Sequence, residues 1–214
     1  AGERPPHPHP ETPVSPPVLV TFYSSYGHVH ALARAVRDGA ARVEEAQVRV
    51  RRIPELPAAR EAMSSQDAYV EAQKAMESVE RADLDDLRWA HAVAWGTPTR
   101  FGNMAAQVKQ FLDQTGPLWQ SGEMVDKPTG VFTSTNTIHG GQESTILTSL
   151  VPLLHQGMIF VGTPYSQNPE IFTAEGIGSS PYGPSTVAGV DGSRTPTEAE
   201  LTVAGRVEAP VTVL

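Results

Sequence analysis

A buried strand that passes through a short polar turn into an amphipathic helix lies near the start of the chain, and it constrains the fold more than any other feature. The run Val18 to Tyr23 is apolar and rich in β-branched and aromatic residues, as expected of a strand covered on both faces of a parallel sheet. Beyond the turn, apolar residues recur at helical spacing: Val29, Leu32, Ala33, Val36, Ala40 and Val43. The segment therefore predicts a strand–loop–helix unit.

Four further segments are predicted strands. Gln47 to Ile53 alternates apolar residues with arginine and ends at Pro54, which suits the edge of a sheet. The others are short apolar runs at His91 to Trp95, Thr129 to Thr133 and Met158 to Gly162. Strands alternating with helices indicate an α/β fold, a doubly wound five-stranded parallel sheet with helices on both faces. Ligands of such sheets bind at the carboxyl ends of the strands.

Two later helices have signals at their ends or in their interior. We expect Asn103 to cap the helix that follows the third strand, and Gly116-Pro117 to end it. Another helix is predicted from Thr145 to His155. Pro152 should kink that helix, because proline removes a backbone donor and clashes with the preceding turn.

Three segments lie outside this scaffold. Residues 1–17 are rich in proline and are expected to form a flexible tail, which leaves residues 18–214 as a single domain. Pro54 to Ala90 is an acidic, alanine-rich insertion with a predicted helix from Ser65 to Arg81. Tyr165 to Pro196 is rich in glycine and proline and lacks regular periodicity, as is typical of functional or disordered loops.

Composition excludes several classes of function. The 214 residues carry 16 lysines and arginines against 24 aspartates and glutamates, a net charge of -8 that disfavours nucleic acid as a partner. There is no cysteine, so disulfides, thiolate nucleophiles and iron–sulfur clusters are excluded, and redox chemistry would need a bound cofactor. No apolar run approaches the roughly 18 residues that would suggest a membrane span. We expect a soluble, cytoplasmic protein.

The loop after the first strand has the chemistry of a phosphate site. It places hydroxyls, a glycine and backbone N–H groups at the positive end of a helix, and its residues are Ser24, Ser25, Tyr26, Gly27, His28 and Val29. Alone, such a loop is more often an ordinary helix cap. It lacks the glycine–lysine pair of a P-loop and no GxGxxG follows a strand, so a monophosphate is favoured. His28 and His30 lack a third ligand at motif spacing, and no metal is expected.

Two more polar turns follow later strands. Residues 97–103 combine hydroxyls, backbone donors and one arginine, which could hydrogen-bond a flavin ring and favour negative charge on it. A proline turn with a surface arginine is the simpler alternative. Residues 134–141 form an equally polar turn after the fourth strand. Because all three loops follow parallel strands, they should meet at one edge of the sheet.

Six stretches of the chain resemble the WrbA family of NAD(P)H:quinone oxidoreductases, which belongs to the flavodoxin-like superfamily. They lie between about Val18 and Thr195, in the family's order, and read YSSYGHV, GTPTRFGNM, FLDQTGPLWQSG, GGQE, HQGM and PYGPSTVAGVDGSR. The resemblance implies a flavodoxin-like sheet, bound FMN, NADH or NADPH as the electron donor and a quinone as the acceptor.

The same resemblance implies roles for single residues. The FMN phosphate would lie in the loop from Ser24 to Val29. The flavin ring would lie beside two loops, whose residues are Pro98, Thr99, Arg100, Phe101 and Asn103 in one and Ser134, Thr135, Asn136, Thr137, Ile138 and His139 in the other. Tyr26 would lie near the nicotinamide, Trp119 on the quinone side, and His155 in contact with FMN.

Some of these residues have alternative structural roles, and others lie where this sequence differs from the family's pattern. Trp119 could instead anchor a core or an interface, and His155 could complement a helix dipole. The family has a run of glycines in the third loop where this chain has residues 136–139, so Ile138 and His139 are expected to narrow the ring pocket. Pro152 interrupts a helix that is regular in the family and could shift His155. The resemblance predicts a longer amphipathic final helix where this sequence reads VEAPVTVL.

The implied reaction is a ping-pong transfer, in which a nicotinamide nucleotide reduces FMN, leaves, and is replaced by a quinone that takes two electrons. A flavodoxin-type electron carrier is the first alternative, but the insertion and the long aromatic loop would wall off the flavin edge that a carrier needs. A regulatory binding module is the second, and nothing in the acidic composition supports it. The resemblance further implies a homotetramer whose flavin sites are closed by neighbouring subunits.

Overall fold

A computed structural model describes residues 16–206 of the chain. The strands are β1 (Pro17–Phe22), β2 (Gln47–Arg52), β3 (Ala92–Pro98), β4 (Pro128–Thr135), β5 (Ile159–Phe160) and β6 (Ser185–Val187). The helices are α1 (His28–Ala40), α2 (Pro57–Met63), α3 (Asp67–Ala75), α4 (Leu84–Trp89), α5 (Ala106–Asp113), α6 (Gly116–Ser121), α7 (Gln142–His155) and α8 (Glu198–Ala204), with a 3-10 turn at Pro169–Ile171. Nearly all of the expected tail, and the last segment VEAPVTVL, lie outside the described residues.

The strands form one parallel sheet in the order β2-β1-β3-β4-β5, which confirms the predicted fold class. As predicted, β2 lies at an edge. The position beside β4 is shared by two segments, because β5 pairs with the start of β4 and β6 pairs with its end. The sequence predicts a fifth strand from Met158 to Gly162, of which the structure has Ile159–Phe160. It does not predict β6, which follows the intervening residues 161–184.

Helices cover both faces of the sheet, as the buried pattern of the strands requires. On one face, alternate residues of β1, β3 and β4 pack against α5 and α7, with Phe111, Ile146 and Leu153 buried. On the other face α1 packs its stripe, including Leu32 and Val36, with α8 beside it. No helix among residues 16–206 is both long and apolar enough to cross a membrane.

Two predicted helix ends are wrong. Asn103 does not cap α5, whose N-cap is Ala105; instead, its side-chain oxygen accepts the Met104 N–H at 2.7 Å within a tight turn. Gly116-Pro117 does not end that helix either, because α5 ends at Asp113 and these two residues begin α6. Proline is well suited to a first helical turn, where no partner for its missing N–H is required.

The predicted single helix from Ser65 to Arg81 is also wrong. The insertion holds three short helices, α2, α3 and α4. The chain leaves α3 at Ala75 because it must return to the sheet edge, where Arg52 donates its N–H to Glu80 and accepts that of Ala82, each at 2.9 Å. The helix α7 runs from Gln142 to His155 without a break, with Pro152 inside it.

Candidate functional site

A cavity of ≈ 580 Å³ opens at the carboxyl ends of β1, β3 and β4, within the size range of small-molecule sites. Its walls come from five parts of the chain: Ser24, Ser25, Tyr26, His28 and Val29; Gln66 and Ala68; Pro98, Thr99 and Arg100; Ser134 and Asn136; and Ala188, Val190, Asp191 and Gly192. The three loops named from the sequence therefore meet, as expected of parallel strands. We call this the first cavity.

The first loop offers the first cavity the open amino end of α1. Gly27, the residue before the helix, has φ 94, a left-handed conformation that favours glycine, and makes no side-chain cap bond. Its N–H instead donates to the Ser24 hydroxyl at 3.0 Å. The first backbone N–H groups of a helix have no partner within the helix and carry partial positive charge. This end of the cavity suits a phosphate.

The insertion holds the first loop from outside. The amide nitrogen of Gln73, on α3, donates to the carbonyl oxygens of Ser24 and Ser25 at 3.0 and 3.1 Å. The Tyr26 hydroxyl donates to Gln66 at 2.6 Å, and the Tyr26 ring meets Tyr69 edge-on with centroids 6.3 Å apart. The sequence prediction assigned the insertion no such role, because nothing local marks these long-range partners.

The second loop is bonded to both of its neighbours. Arg100 donates from Nη2 to the Ser25 hydroxyl at 3.0 Å, and the Thr99 hydroxyl accepts from that of Thr145 on α7 at 2.7 Å. The Thr99 N–H donates to the Ser134 carbonyl at 2.9 Å. A guanidinium is therefore fixed beside the first loop, where it favours an anionic ligand.

The third loop contributes less than expected. Only Ser134 and Asn136 of its predicted residues line the first cavity. Ile138 does not line the cavity and lies over Gly176, so close that a Cβ on Gly176 would come within 2.5 Å of the Ile138 Cδ1. Neither Ile138 nor His139 lines the cavity wall, so the narrowing of the ring pocket by these two residues stays a prediction.

Residues 188–192 form a wall that the sequence prediction missed. Their loop is fixed by Arg194, whose carbonyl oxygen lies 3.0 Å from Nε2 of His28 and whose guanidinium pairs with Glu200 at 3.0 Å. Glu200 is fully buried and also accepts from Thr186 and from the N–H groups of Gly178 and Thr197. Burial raises the pKa of Glu200, but Arg194 and these donors outweigh it and lower the pKa below its ordinary value.

The clue to this wall was the stretch PYGPSTVAGVDGSR, which spans β6 and the loop after it. It was recognised as part of the resemblance without a role for any residue. Gly189, Asp191 and Gly192 are residue types that indicate a turn, but the place of this turn beside the first loop depends on β6, which was not predicted.

Several predicted residues lie away from the first cavity. Asn103 and His155 line a second cavity of ≈ 1030 Å³, formed mainly by α5 and α7, and Arg100 lines both cavities. The helix α7 starts at the third loop and runs 14 residues, so His155 lies roughly 20 Å along it. The other predicted residues outside the first cavity wall are Gly27, Phe101, Thr135, Thr137 and Trp119. Phe101 and Trp119 are exposed.

Comparison with known proteins agrees with this arrangement. Residues 19–171 match the model of a family described as NADPH-dependent FMN reductase. A protein named NAD(P)H dehydrogenase (quinone) from Syntrophobacter fumaroxidans is 52% identical over 184 residues, covering 86% of this chain and 89% of its own. Another of that name from Geotalea uraniireducens is 50% identical over 188 residues, covering 87% of this chain and 91% of its own.

Among solved structures, the flavodoxin, WrbA-like protein from Agrobacterium tumefaciens has the same fold. Its TM-score is 0.61 at 24% identity, and the match covers 93% of this chain and 96% of that one. The matched family model spans well over half of the chain and includes the first three loops of the site. The chain therefore belongs to the NADPH-dependent FMN reductase family.

Proposed function

We propose that the protein is an FMN-dependent NAD(P)H:quinone oxidoreductase. The relatives named NAD(P)H dehydrogenase (quinone) and the FMN reductase family match support this activity. The observation that carries the proposal is the first cavity, where the open amino end of α1 and the guanidinium of Arg100 face one space. This cavity has a phosphate end and a separate polar wall, as a flavin mononucleotide requires.

The residues present fit FMN. The loop from Ser24 to Val29 would hold the phosphate, while Pro98, Thr99, Arg100 and residues of the third loop would border the ring. FMN, when bound, supplies the chemistry by accepting a hydride from the nicotinamide and passing two electrons to a quinone. Arg100 would favour the negative charge that ring reduction produces, and the 188–192 loop would limit access of water.

Tyr26 is the proposed contact for the nicotinamide. Its side chain lines the first cavity and is 43% exposed, so its ring is available at the mouth. Hydrogen bonding to Gln66 and the edge-on contact with Tyr69 fix the ring's orientation. A flat, fixed aromatic surface suits stacking of a planar ring.

We also propose that the protein is a homotetramer in which His155 and Trp119 reach the flavin site of another subunit. The second cavity is mostly apolar, and exposed Trp119, Val151 and Leu154 belong to the α6 and α7 helices near it. Burial of such side chains between subunits would be favourable. Sedimentation should detect the tetramer, and a monomer with the full quinone reductase rate would contradict this assembly.

The activity is tested directly with protein stripped of flavin. We expect that protein to take up added FMN, and NADH or NADPH oxidation with benzoquinone to depend on that FMN. A reductive titration should consume two electrons per flavin and then return them to benzoquinone. Failure to bind FMN, or nucleotide oxidation that does not depend on FMN, would rule out the proposal.

A further inference from the structure

We infer that Glu55 is a positioning residue that fixes Arg100 beside the flavin site through Tyr23 and Ser25. The inference rests on the proposed function, in which Arg100 borders the flavin ring. Glu55 does not line the first cavity and follows β2 at the start of the insertion. Any effect it has on the flavin must therefore pass through other side chains.

The carboxylate of Glu55 gathers four hydrogen bonds from distant parts of the chain and its own neighbour. The hydroxyls of Tyr23 and Tyr69 donate to Oε2 at 2.7 and 3.2 Å, and the amide of Gln107 donates to Oε1 at 2.5 Å. The Leu56 N–H donates to Oε1 at 2.9 Å. Glu55 thus joins the residue that follows β1 to α3 and α5.

Each hydrogen bond in the series from Arg100 to Glu55 can have its donor on only one side. A guanidinium has donors and no acceptor, whereas a carboxylate has only acceptors. Arg100 therefore donates to Ser25 at 3.0 Å, Ser25 donates to Tyr23 at 3.0 Å, and Tyr23 donates to Glu55. Bonds aligned in this way polarise and strengthen one another.

Burial protects the two middle members of this hydrogen-bond series from competition by water. Ser25 and Tyr23 are each only 3% exposed. Burial raises the pKa of Tyr23 above its ordinary value, partly offset by the bond with Ser25, and the Glu55 carboxylate raises it further. The phenol therefore stays protonated at neutral pH and remains a donor to Glu55.

The same series of hydrogen bonds also fixes the direction of the Arg100 side chain. Arg100 lines both the first and the second cavity, so its guanidinium has a second space available on the other side of its turn. Within residues 16–206, the Arg100 side chain has one hydrogen bond to the first loop, from Nη2 to the Ser25 hydroxyl. Its Nη1 donates to the carbonyl oxygen of the neighbouring Thr99 instead. Loss of Tyr23 removes the partner that orients Ser25, and loss of Glu55 removes the acceptor that orients the Tyr23 hydroxyl. Either change frees the guanidinium to leave.

The test compares Tyr23→Phe and Glu55→Ala with Arg100→Met and a matched control. Tyr69→Phe removes another hydroxyl from the same carboxylate oxygen but leaves the chain to Arg100 intact. FMN dissociation constants are measured by fluorescence titration, and the two-electron reduction potential of bound FMN by equilibration with indicator dyes. Thermal unfolding of the FMN-free proteins checks that each variant folds.

We expect Tyr23→Phe and Glu55→Ala to weaken FMN binding roughly tenfold, the order expected for one charge-assisted hydrogen bond. Both should shift the reduction potential to more negative values, as Arg100→Met does, while Tyr69→Phe keeps the parental potential. If Arg100→Met shifts the potential but Tyr23→Phe does not, the positioning role is wrong and the proposed function stands. If Arg100→Met has no effect, the placement of Arg100 beside the ring fails, and this inference fails with it.

Discussion

The side-chain nitrogen of Gln73 lies 3.0 Å from the carbonyl oxygen of Ser24, so an insertion helix holds the first loop by its backbone. The same nitrogen also reaches the Ser25 carbonyl. The hydrogen-bonding needs of two carbonyl oxygens in the first loop are thereby met by one side chain of the insertion.

Replacement of Gln73 should loosen this loop. We expect Gln73→Leu to leave two carbonyls without their donor, at a cost of about 1–3 kcal/mol, and to raise the FMN dissociation constant about tenfold or more. Fluorescence titration measures the change. Lys74→Ala, at an exposed position of the same helix, is the control and should bind FMN normally. Equal affinity in the two variants would contradict the role given to Gln73.

Gly27 offers a test of backbone conformation without crowding. A Cβ at this position would meet only Ala72 at 3.9 Å, so the penalty of Gly27→Ala comes from φ 94. We expect a loss of about 1–2 kcal/mol in the free energy of unfolding, measured with urea, together with weaker FMN binding. Gly116→Ala is the matched control, because its Cβ meets nothing within 4 Å and its φ is not positive. A similar loss in both variants would argue against strain at Gly27.

Glu200 should make stability depend on pH in the acid range. Its pKa is lowered in the folded protein, so its contribution is fully present above the ordinary carboxyl pKa and is lost as pH falls through the folded value. The parent protein should therefore lose more of its unfolding free energy between pH 7 and pH 4 than Glu200→Gln does. Urea unfolding at both values measures this.

The matched control for Glu200 is Glu198→Gln, an exposed carboxylate in the same helical turn. It should leave the pH dependence of the parent unchanged. Glu200→Gln should also be less stable at pH 7 by several kcal/mol, on the order of 3, because it breaks a buried pair with Arg194. An unchanged pH dependence in Glu200→Gln would refute the assignment.

Lys127 should also make stability rise with pH, but in the alkaline range. Burial lowers its pKa to about 8, partly offset by Glu123, while its Nζ donates to the Leu87 carbonyl at 2.7 Å. Between that value and the ordinary pKa of 10.5 the unfolded chain binds more protons, so this residue's contribution to stability rises with pH. Urea unfolding at pH 7 and pH 9.5 should show this rise relative to Lys127→Met. A parallel response of the two proteins would exclude it.

The first loop could be predicted from sequence because its strand, its polar turn and its helix are contiguous. Each has a local signal, from the β-branched run before Ser24 to the helical stripe that begins at Val29. The fold class, a parallel sheet with helices on both faces, followed from the alternation of strands and helices. Both predictions depend on interactions within a short stretch of chain or on a general rule of topology.

The remaining features depend on contacts between distant residues. β6 has only three residues and becomes a strand by pairing with β4, so its own sequence carries too little signal. Helix ends near Asn103 and Gly116 were wrong because a tight turn and a second helix compete with the expected caps. His155 lies far from the first cavity because it is the last residue of the 14-residue helix α7.

The split position beside β4 has a consequence for how this family can vary. Thr129 pairs with Phe160 and Thr133 pairs with Ser185, so the two ends of the intervening segment are anchored four residues apart on one strand, about 13 Å. Neither anchor depends on how many residues lie between them. Chain can therefore be gained, lost or exchanged here without disturbing strand register, which makes this seam a natural place to graft new recognition loops beside an unchanged redox centre.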